Sequence, residues 1–400
     1  MQKSTFADLG VAAPVAGALA KRGIEHPFAV QEAVIPDVLA GHDVLVKSPT
    51  GSGKTLAFGV PLMQRIEPGE AKPSALVLAP TRELAGQIVD ELESIARARN
   101  LKVVAVYGGA GITGQMRAAR NADILVATPG RLVDLIDRRA VSLRSVSFLV
   151  LDEADRMLDM GFRPVVDKLV GMTSDRRQTL LFSATLAGEV NRIAKAYTRN
   201  ARRHEQAQTA EVRGNVEHRF VRVAHASKTE RLVSELSEPG RGRTLVFVRT
   251  KRGADRLAKQ LDRQAVSVAA MHGNKSQGQR ERALASFEAG RIDTLVATDV
   301  AARGIDVRDV THVINFDIPG AAEDYVHRIG RTARAGSSGV GITFVLDDQV
   351  RDLVSMVSGL GLHRELEAGG IAASATHTRP PALAGGAARR RRSGRRRPVR

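Results

Sequence analysis

The chain has 400 residues, no cysteine, and a formal net charge of +17. That length fits two ordinary domains with separate cores, and the missing cysteines exclude a disulfide framework or a thiolate metal site. No run of apolar residues approaches membrane-spanning length, and the positive balance points to a polyanionic partner.

In chain order, the mildly apolar LGVAAPVAGALA follows Asp8 without a basic flank or a cleavage pattern and reads as a short helix rather than a leader. Short aliphatic and β-branched runs then alternate with helical patterns: DVLVKS, ALVLAPT, VVAVYGG, DILVATPG, FLVLDEAD and TLLFSAT. Each run ends in small, polar or turn-forming residues, as strands of a parallel sheet with crossover helices do. TRELAGQIVDELESIAR puts Leu84, Ile88, Leu92 and Ile95 on one helical face, which predicts a helix lying on that sheet.

From about Asn200 to Glu217 the sequence NARRHEQAQTAEVRGNVE is polar and lacks an apolar period, and it reads as a linker region. Alternation resumes with HRFVRVAH, TLVFVRT, SVAAMHG, DTLVATD, HVINFDIP and VGITFVL. The echo of LVATPG at 125–130 in LVATDV at 295–300 suggests that the second half repeats the plan of the first. Beyond Leu366 the composition turns to Gly, Ala and Pro and ends in RRRRSGRRRPVR, a tail expected to be disordered. Its last twelve residues hold eight arginines, so the other 388 still carry +9 and the body is basic too.

SPTGSGKT at 48–55 stands between a strand and a helical pattern, the context a phosphate loop requires. Glycines here let backbone N–H groups face phosphate oxygens, Lys54 supplies a cation, and Thr55 offers a hydroxyl to Mg²⁺. In such sheets a carboxylate ending another strand holds the metal, a role that falls to Asp152. Glu153, one residue further on, is the candidate to orient or deprotonate water. Acids at this place also suit the N-terminus of the following helix.

These motifs belong to a longer ordered series: Gln31 in GIEHPFAVQ, SPTGSGKT, PTRELA from Pro80, Gly108-Gly109, TPGR from Thr128, DEAD, and SAT at 183–185. The second half adds LVFVRT, HGNKSQGQR from His272, ATDVAARGID from Ala297 and HRIGRTAR from His327. With this series the chain resembles the DEAD-box ATP-dependent RNA helicases of superfamily 2, most closely the bacterial RhlE-like group, over roughly residues 4–360.

The resemblance implies two tandem RecA-like parallel-sheet α/β domains of the P-loop NTPase type. The expected bounds are an N-terminal flank with the Q motif at 1–33, an ATP-binding domain at 34–205, a linker at 206–216, a second domain at 217–366, and the basic tail at 367–400. It implies ATP and Mg²⁺ as cofactors, with Phe6, Ile24, Gln31, Ser48, Pro49, Thr50, Gly51, Ser52, Gly53, Lys54 and Thr55 around the nucleotide, joined by Gly304 and Asp306 from the second domain. Gln31 would read the adenine edge. Two departures stand out: Ile24 occupies a place where an aromatic commonly stacks on the base, and Phe28-Ala29 replaces a usual Thr-Pro.

Arg331 and Arg334 would reach the γ-phosphate, with Lys54, Asp152, Glu153 and His327 completing the catalytic set. Asp155, Ser183 and Thr185 would couple the domains, while Asp159 is left as a solvated helix residue. RNA would meet Pro80, Arg82, Gly109, Thr128 and Arg131 in the first domain and Thr250, Gly273, Thr298 and Arg303 in the second. Such residues suit phosphates and 2′-hydroxyls rather than base edges, and 4% aromatic content leaves little for base stacking.

The implied activity is RNA-stimulated ATP hydrolysis, coupled to domain closure and local separation of short duplexes by a cytoplasmic monomer with no membrane attachment. The arginine tail would be an extra RNA tether. The rival readings are a passive RNA chaperone or annealing protein with a vestigial nucleotide site, and a small-molecule kinase. The first leaves the intact Lys54, Glu153 and Arg331 unexplained, and the second leaves the other domain unexplained.

Overall fold

The computed structural model describes residues 4–48, 52–205, 215–302, 307, 309–333 and 337–371. The first sheet contains β1 (Val44–Lys47), β2 (Ala75–Leu78), β3 (Val103–Val106), β4 (Ile124–Ala127), β5 (Phe148–Leu151), β6 (Gln178–Ser183) and β7 (Arg202–Glu205). These strands lie in the order β3-β4-β2-β5-β6-β1-β7, and every pairing is parallel. The second sheet contains β8 (Asn215–Arg222), β9 (Arg243–Phe247), β10 (Val268–Met271), β11 (Thr294–Ala297), β12 (Val310–Asn315) and β13 (Ser338–Val345), in the order β10-β11-β9-β12-β13-β8, again all parallel.

Adding seven to each strand number of the order 3-4-2-5-6-1 reproduces the second sheet, so the two halves share one topology. The two LVAT segments end β4 and β11, equivalent places in that plan.

Continuous apolar runs form the central strands because helices cover both faces. Successive residues point to opposite sides: Val77, Val126 and Val150 enter one core of the first domain, while Leu76, Leu125 and Leu149 enter the other. The predicted covering helix is present as Arg82–Ala98, with Ile88, Leu92 and Ile95 fully buried and Leu84 partly so. Thr81 caps it, its hydroxyl accepting the Leu84 N–H at 3.2 Å.

Two boundaries differ from the polarity pattern. The stretch after Asn200 is not wholly linker, because Arg202–Glu205 forms β7 against β1. As an edge strand it pairs through its backbone, leaving Arg203 and Glu205 to form an ion pair at 2.6 Å on the exposed side, so no apolar period marks it. The N-terminal flank also contributes to the first domain, since Phe6, Val11, Val15 and Leu19 are buried in one of its cores.

Candidate nucleotide cleft and nucleic-acid face

Strand order sets the cleft. Because β6 lies between β1 and β5, the SAT segment sits between the phosphate loop and DEAD, all at the carboxyl ends of parallel strands. After β1, the Ser48 N–H donates to the Ser183 carbonyl at 3.0 Å, joining loop to SAT. Gly53 adopts φ +87°, a left-handed turn that admits glycine most readily, and the helix Lys54–Arg65 starts immediately after it. Its N-terminal amides and dipole therefore favour an anion at the loop. Lys54 is buried and donates to the Ser48 carbonyl at 3.2 Å, and the Ser48 and Ser52 hydroxyls lie 2.5 Å apart.

Gln31 holds this loop from the side. Its Oε1 accepts the Phe28 N–H and its Nε2 donates to the Gly53 carbonyl, both at 2.9 Å. One N–H and one lone pair remain, the donor and acceptor that an adenine Hoogsteen edge complements. Phe6 and Ile24 are instead engaged in the apolar core, Phe6 buried and Ile24 packed at its margin.

Asp152 and Glu153 are both buried at the end of β5. Burial pushes the Asp152 carboxyl up to about 6 although Lys54 opposes the shift. Its Oδ1 accepts the Glu153 N–H at 3.0 Å. Burial acts on Glu153 too, but Arg156, Lys54 and Arg331 together outweigh it and hold that carboxyl below its usual value. Arg156 donates to Glu153 Oε2 at 2.5 Å, a pair buried on both sides. Glu153 also carries φ 50°, ψ 53°, an uncommon left-handed conformation for a long side chain. Asp155 turns toward β6, its Oδ2 accepting the Ala184 N–H at 3.0 Å, so DEAD and SAT are bonded directly. Thr185 donates its N–H to Ser183 Oγ at 3.3 Å, and Asp159 is exposed.

The second domain brings its charges to this place. The buried Arg331 donates from Nε to the His327 carbonyl at 3.3 Å, and its charge contributes to depressing Glu153 across the interface. Arg156 of the first domain lines one small crevice with Asp299, Asp324, His327 and Arg331 of the second. Burial lowers the His327 imidazole below its ordinary value, and Arg156 adds to the effect, which favours its neutral form.

A second face runs along the ends of β2, β3 and β4. The Arg82 guanidinium packs against Gly108 and Gly109; a Cβ placed on Gly109, where φ is +86°, would come 1.9 Å from Arg82 Nη1. Arg131 donates to the Ala110 carbonyl at 3.1 Å and to Gln115 at 2.9 Å. Pro80 and Thr128 are buried at the bases of these turns. Across the interface, Thr250 caps the helix Lys251–Asp262, Gly273 is exposed, and Thr298 is buried after β11. All three follow strands equivalent to β2, β3 and β4.

Pro49, Thr50, Gly51, Arg303, Gly304, Asp306, Arg334 and the arginine tail lie outside the described residues. Sequence reasoning missed several contacts that the fold supplies. Glu83 and Arg280 form an interdomain ion pair at 2.8 Å, flanked by a 3.5 Å hydrogen bond from Arg82 to Gln277. Arg328 grips Asp299 with two bonds, at 2.5 and 2.7 Å, and also reaches the Asn315 side chain and the Asp317 carbonyl. Glu83, Gln277, Arg280 and Arg328 all lie inside quoted motifs, so the signal was present but unassigned.

The sequence matches two family models, DEAD/DEAH box helicase over residues 28–193 and Helicase conserved C-terminal domain over 227–336. It is 41% identical over 343 residues to the DEAD-box ATP-dependent RNA helicase CshA of Bacillus subtilis, covering 85% of this chain and 69% of that one. It is 43% identical over 333 residues to the RNA helicase CrhR of Synechocystis sp., covering 82% and 67%. In structure it is similar to S. cerevisiae Dbp5 bound to RNA and ADP BeF3, with a TM-score of 0.79, 30% identity, and coverage of 89% of this chain and 93% of that one. A DEAD box protein from Methanococcus jannaschii is 37% identical yet scores 0.52, covering 89% and 97%. Across these two structures, similarity of overall shape does not follow sequence identity.

Proposed function

The chain belongs to the DEAD/DEAH box helicase family and is an ATP-dependent RNA helicase, and from that premise we propose that hydrolysis is switched on by closure of its two domains around ATP and single-stranded RNA. The observation carrying this reading is the placement of Arg331 beside the Glu153 site of the other domain. A cation needed in the transition state is then supplied only when the halves meet.

In this scheme the amides opening the helix Lys54–Arg65, with Lys54, cradle the phosphates, and Gln31 reads the adenine edge. Glu153 is charged at neutral pH and clamped by Arg156, which suits orienting the attacking water better than storing its proton. Arg331 stabilises charge on the γ-phosphoryl group. Asp155, through the Ala184 amide, transmits the position of DEAD to SAT.

The residues also fit Mg²⁺. Asp152 is a buried carboxylate whose ionisation Lys54 only partly supports, Thr55 carries a hydroxyl in the first turn of the helix after the phosphate loop, and no cage of three or more acidic or histidine side chains occurs among the described residues. That donor set suits a metal held mainly by phosphates and water. Asp152 and Thr55 would hold it, and it would supply positive charge against the phosphates.

RNA runs across the Arg82, Gly109 and Arg131 face and continues over Thr250, Gly273 and Thr298, read through its backbone. Bending of one strand on this surface separates a short duplex locally, and phosphate release resets the enzyme. On the motif series we place the protein in the RhlE-like group, acting as a cytoplasmic monomer. The arginine tail serves as a tether: if its eight arginines all met single-strand phosphates, the salt slope of binding would steepen by about 6. Among the described residues no helix is long and apolar enough to cross a membrane.

The direct test is ATP turnover with and without single-stranded RNA, for the wild type and Glu153→Gln. RNA should stimulate the wild type severalfold or more, and the variant should lose nearly all turnover while still binding ATP. Turnover indifferent to RNA would refute closure coupling, and an RNA-annealing activity surviving without ATP in place of unwinding would favour the passive chaperone.

A further inference from the structure

One aromatic side chain at the cleft has no work in the scheme above. Phe28 is 58% exposed, the largest exposure of a big apolar side chain among the described residues. It occupies the N-cap of the helix Ala29–Leu39, where Ser, Thr, Asp or Asn would satisfy a helix amide, and it makes no side-chain cap bond. The position therefore forgoes a cap interaction and also leaves a ring in water.

A Cβ built on Gly53 would lie 2.6 Å from Phe28 Cδ2 and 2.6 Å from Gln31 Nε2, so ring, amide and phosphate-loop backbone converge on one spot. The Phe28 N–H is itself the donor to Gln31 Oε1, which ties the ring's backbone to the amide that faces the base. Ile24, where a stacking aromatic would otherwise stand, is packed against the core beside Phe6. The rim of the cleft thus offers one flat apolar surface next to one amide with a donor and an acceptor to spare.

We propose that Phe28 supplies the face on which the adenine base of ATP is held, taking the place that Ile24 cannot fill. The inference rests on the nucleotide reading above and adds the residue that makes base recognition apolar as well as polar. A ring face stacks on any base, so selectivity for adenine stays with Gln31.

The test is a set of titrations of the full chain and its Phe28→Ala, Phe28→Tyr and Gln31→Ala variants with Mg-ATP, Mg-tripolyphosphate and the triphosphate of 2-aminopurine riboside. Base–aromatic stacking predicts that Phe28→Ala weakens ATP by about tenfold and relieves quenching of bound 2-aminopurine, while Phe28→Tyr stays within about twofold of the wild type. Tripolyphosphate, which has no base, should bind the wild type and both Phe28 variants alike and so also reports an intact loop, whereas Gln31→Ala also removes the bond to the Gly53 carbonyl. Unchanged or tighter ATP binding by Phe28→Ala would overturn the proposal, as would an equal loss for tripolyphosphate, which would make the ring a prop of the loop. If the wild type preferred ATP to tripolyphosphate by nothing at all, and Gln31→Ala were silent, the adenine reading itself would fall; a silent Phe28→Ala beside a responsive Gln31→Ala would overturn the role of Phe28 alone.

Discussion

Arg280 of the second domain and Glu83 of the first meet at 2.8 Å with their side chains 9% and 5% exposed. Burial raises the Glu83 carboxyl above its ordinary value even though Arg280 pulls the other way, so the charged carboxylate is disfavoured at this buried place and depends on its partner. In the closure proposed above, both groups would return to water when the domains part.

The first prediction concerns this latch. Removing one partner of a buried ion pair costs about 3–5 kcal/mol, because a charge is left buried alone; here the cost falls on the closed state only. Glu83→Ala or Arg280→Ala should therefore lower RNA-stimulated turnover by at least about tenfold, with ATP affinity of the RNA-free protein unchanged. A double-mutant cycle including Glu83→Arg with Arg280→Glu measures the coupling. Additive losses with no rescue by the exchange would deny the pair a role in closure.

Arg156 gives a second prediction. It is one of the cations that hold Glu153 below its usual range, and it fixes Oε2. In Arg156→Met the Glu153 carboxyl should titrate at higher pH, so the acid limb of the kcat profile moves upward. The maximal rate should also drop, by about 10²-fold if positioning of the water is lost. Lysine at this place should recover the pH profile in part, but not the geometry of the guanidinium.

Asp152 sets a third, with its sign worked out from its folded value of about 6 against an ordinary 3.8. A raised carboxyl takes up a proton more readily folded than unfolded, so its contribution to metal-free stability is greatest at low pH and falls as pH rises through about 6. Metal binding needs the carboxylate and runs the opposite way. Mg²⁺ affinity in the presence of ATP should be flat above pH 7 and fall about fourfold at pH 5.5, where roughly a quarter of the group is ionised. In Asp152→Asn this acid-side loss should disappear along with most of the affinity; magnesium titrations followed calorimetrically at several pH values read both.

Much of this was legible in the chain because buried parallel strands announce themselves: FLVL, TLLFS and TLVF cannot be read as surface. β7 was not, since RRHE at a sheet edge pairs by backbone alone and carries no apolar signal. The N-terminal residues looked like a flank because Phe6, Val11, Val15 and Leu19 join a core made mostly by residues far along the chain. Glu83 and Arg280 lay unread within known motifs, since a pair separated by almost two hundred positions becomes visible only when two domains face each other. Phe28 was noticed as a substitution, but only its exposure and the nearness of Gly53 give it a use.

The remaining prediction falls on Gly109. At φ +86° a side chain is strained, at a cost of about 1 kcal/mol, and its Cβ would lie 1.9 Å from Arg82 Nη1. Gly109 and its turn lie on the face proposed to meet RNA, so Gly109→Ala should shift Tm by only a few degrees. Arg82, however, must leave its seat against Gly108–Gly109, and with it goes the 3.5 Å contact to Gln277. The variant should bind ATP normally, require about tenfold more RNA for half-maximal stimulation, and show a shallower salt dependence of RNA affinity by about one phosphate contact. Arg82→Ala should reproduce that loss without the stability change, and combining the two should add little, since both remove the same guanidinium from the same place. Fully additive losses in RNA affinity would mean that the glycine serves the turn alone and that Arg82 does not depend on it.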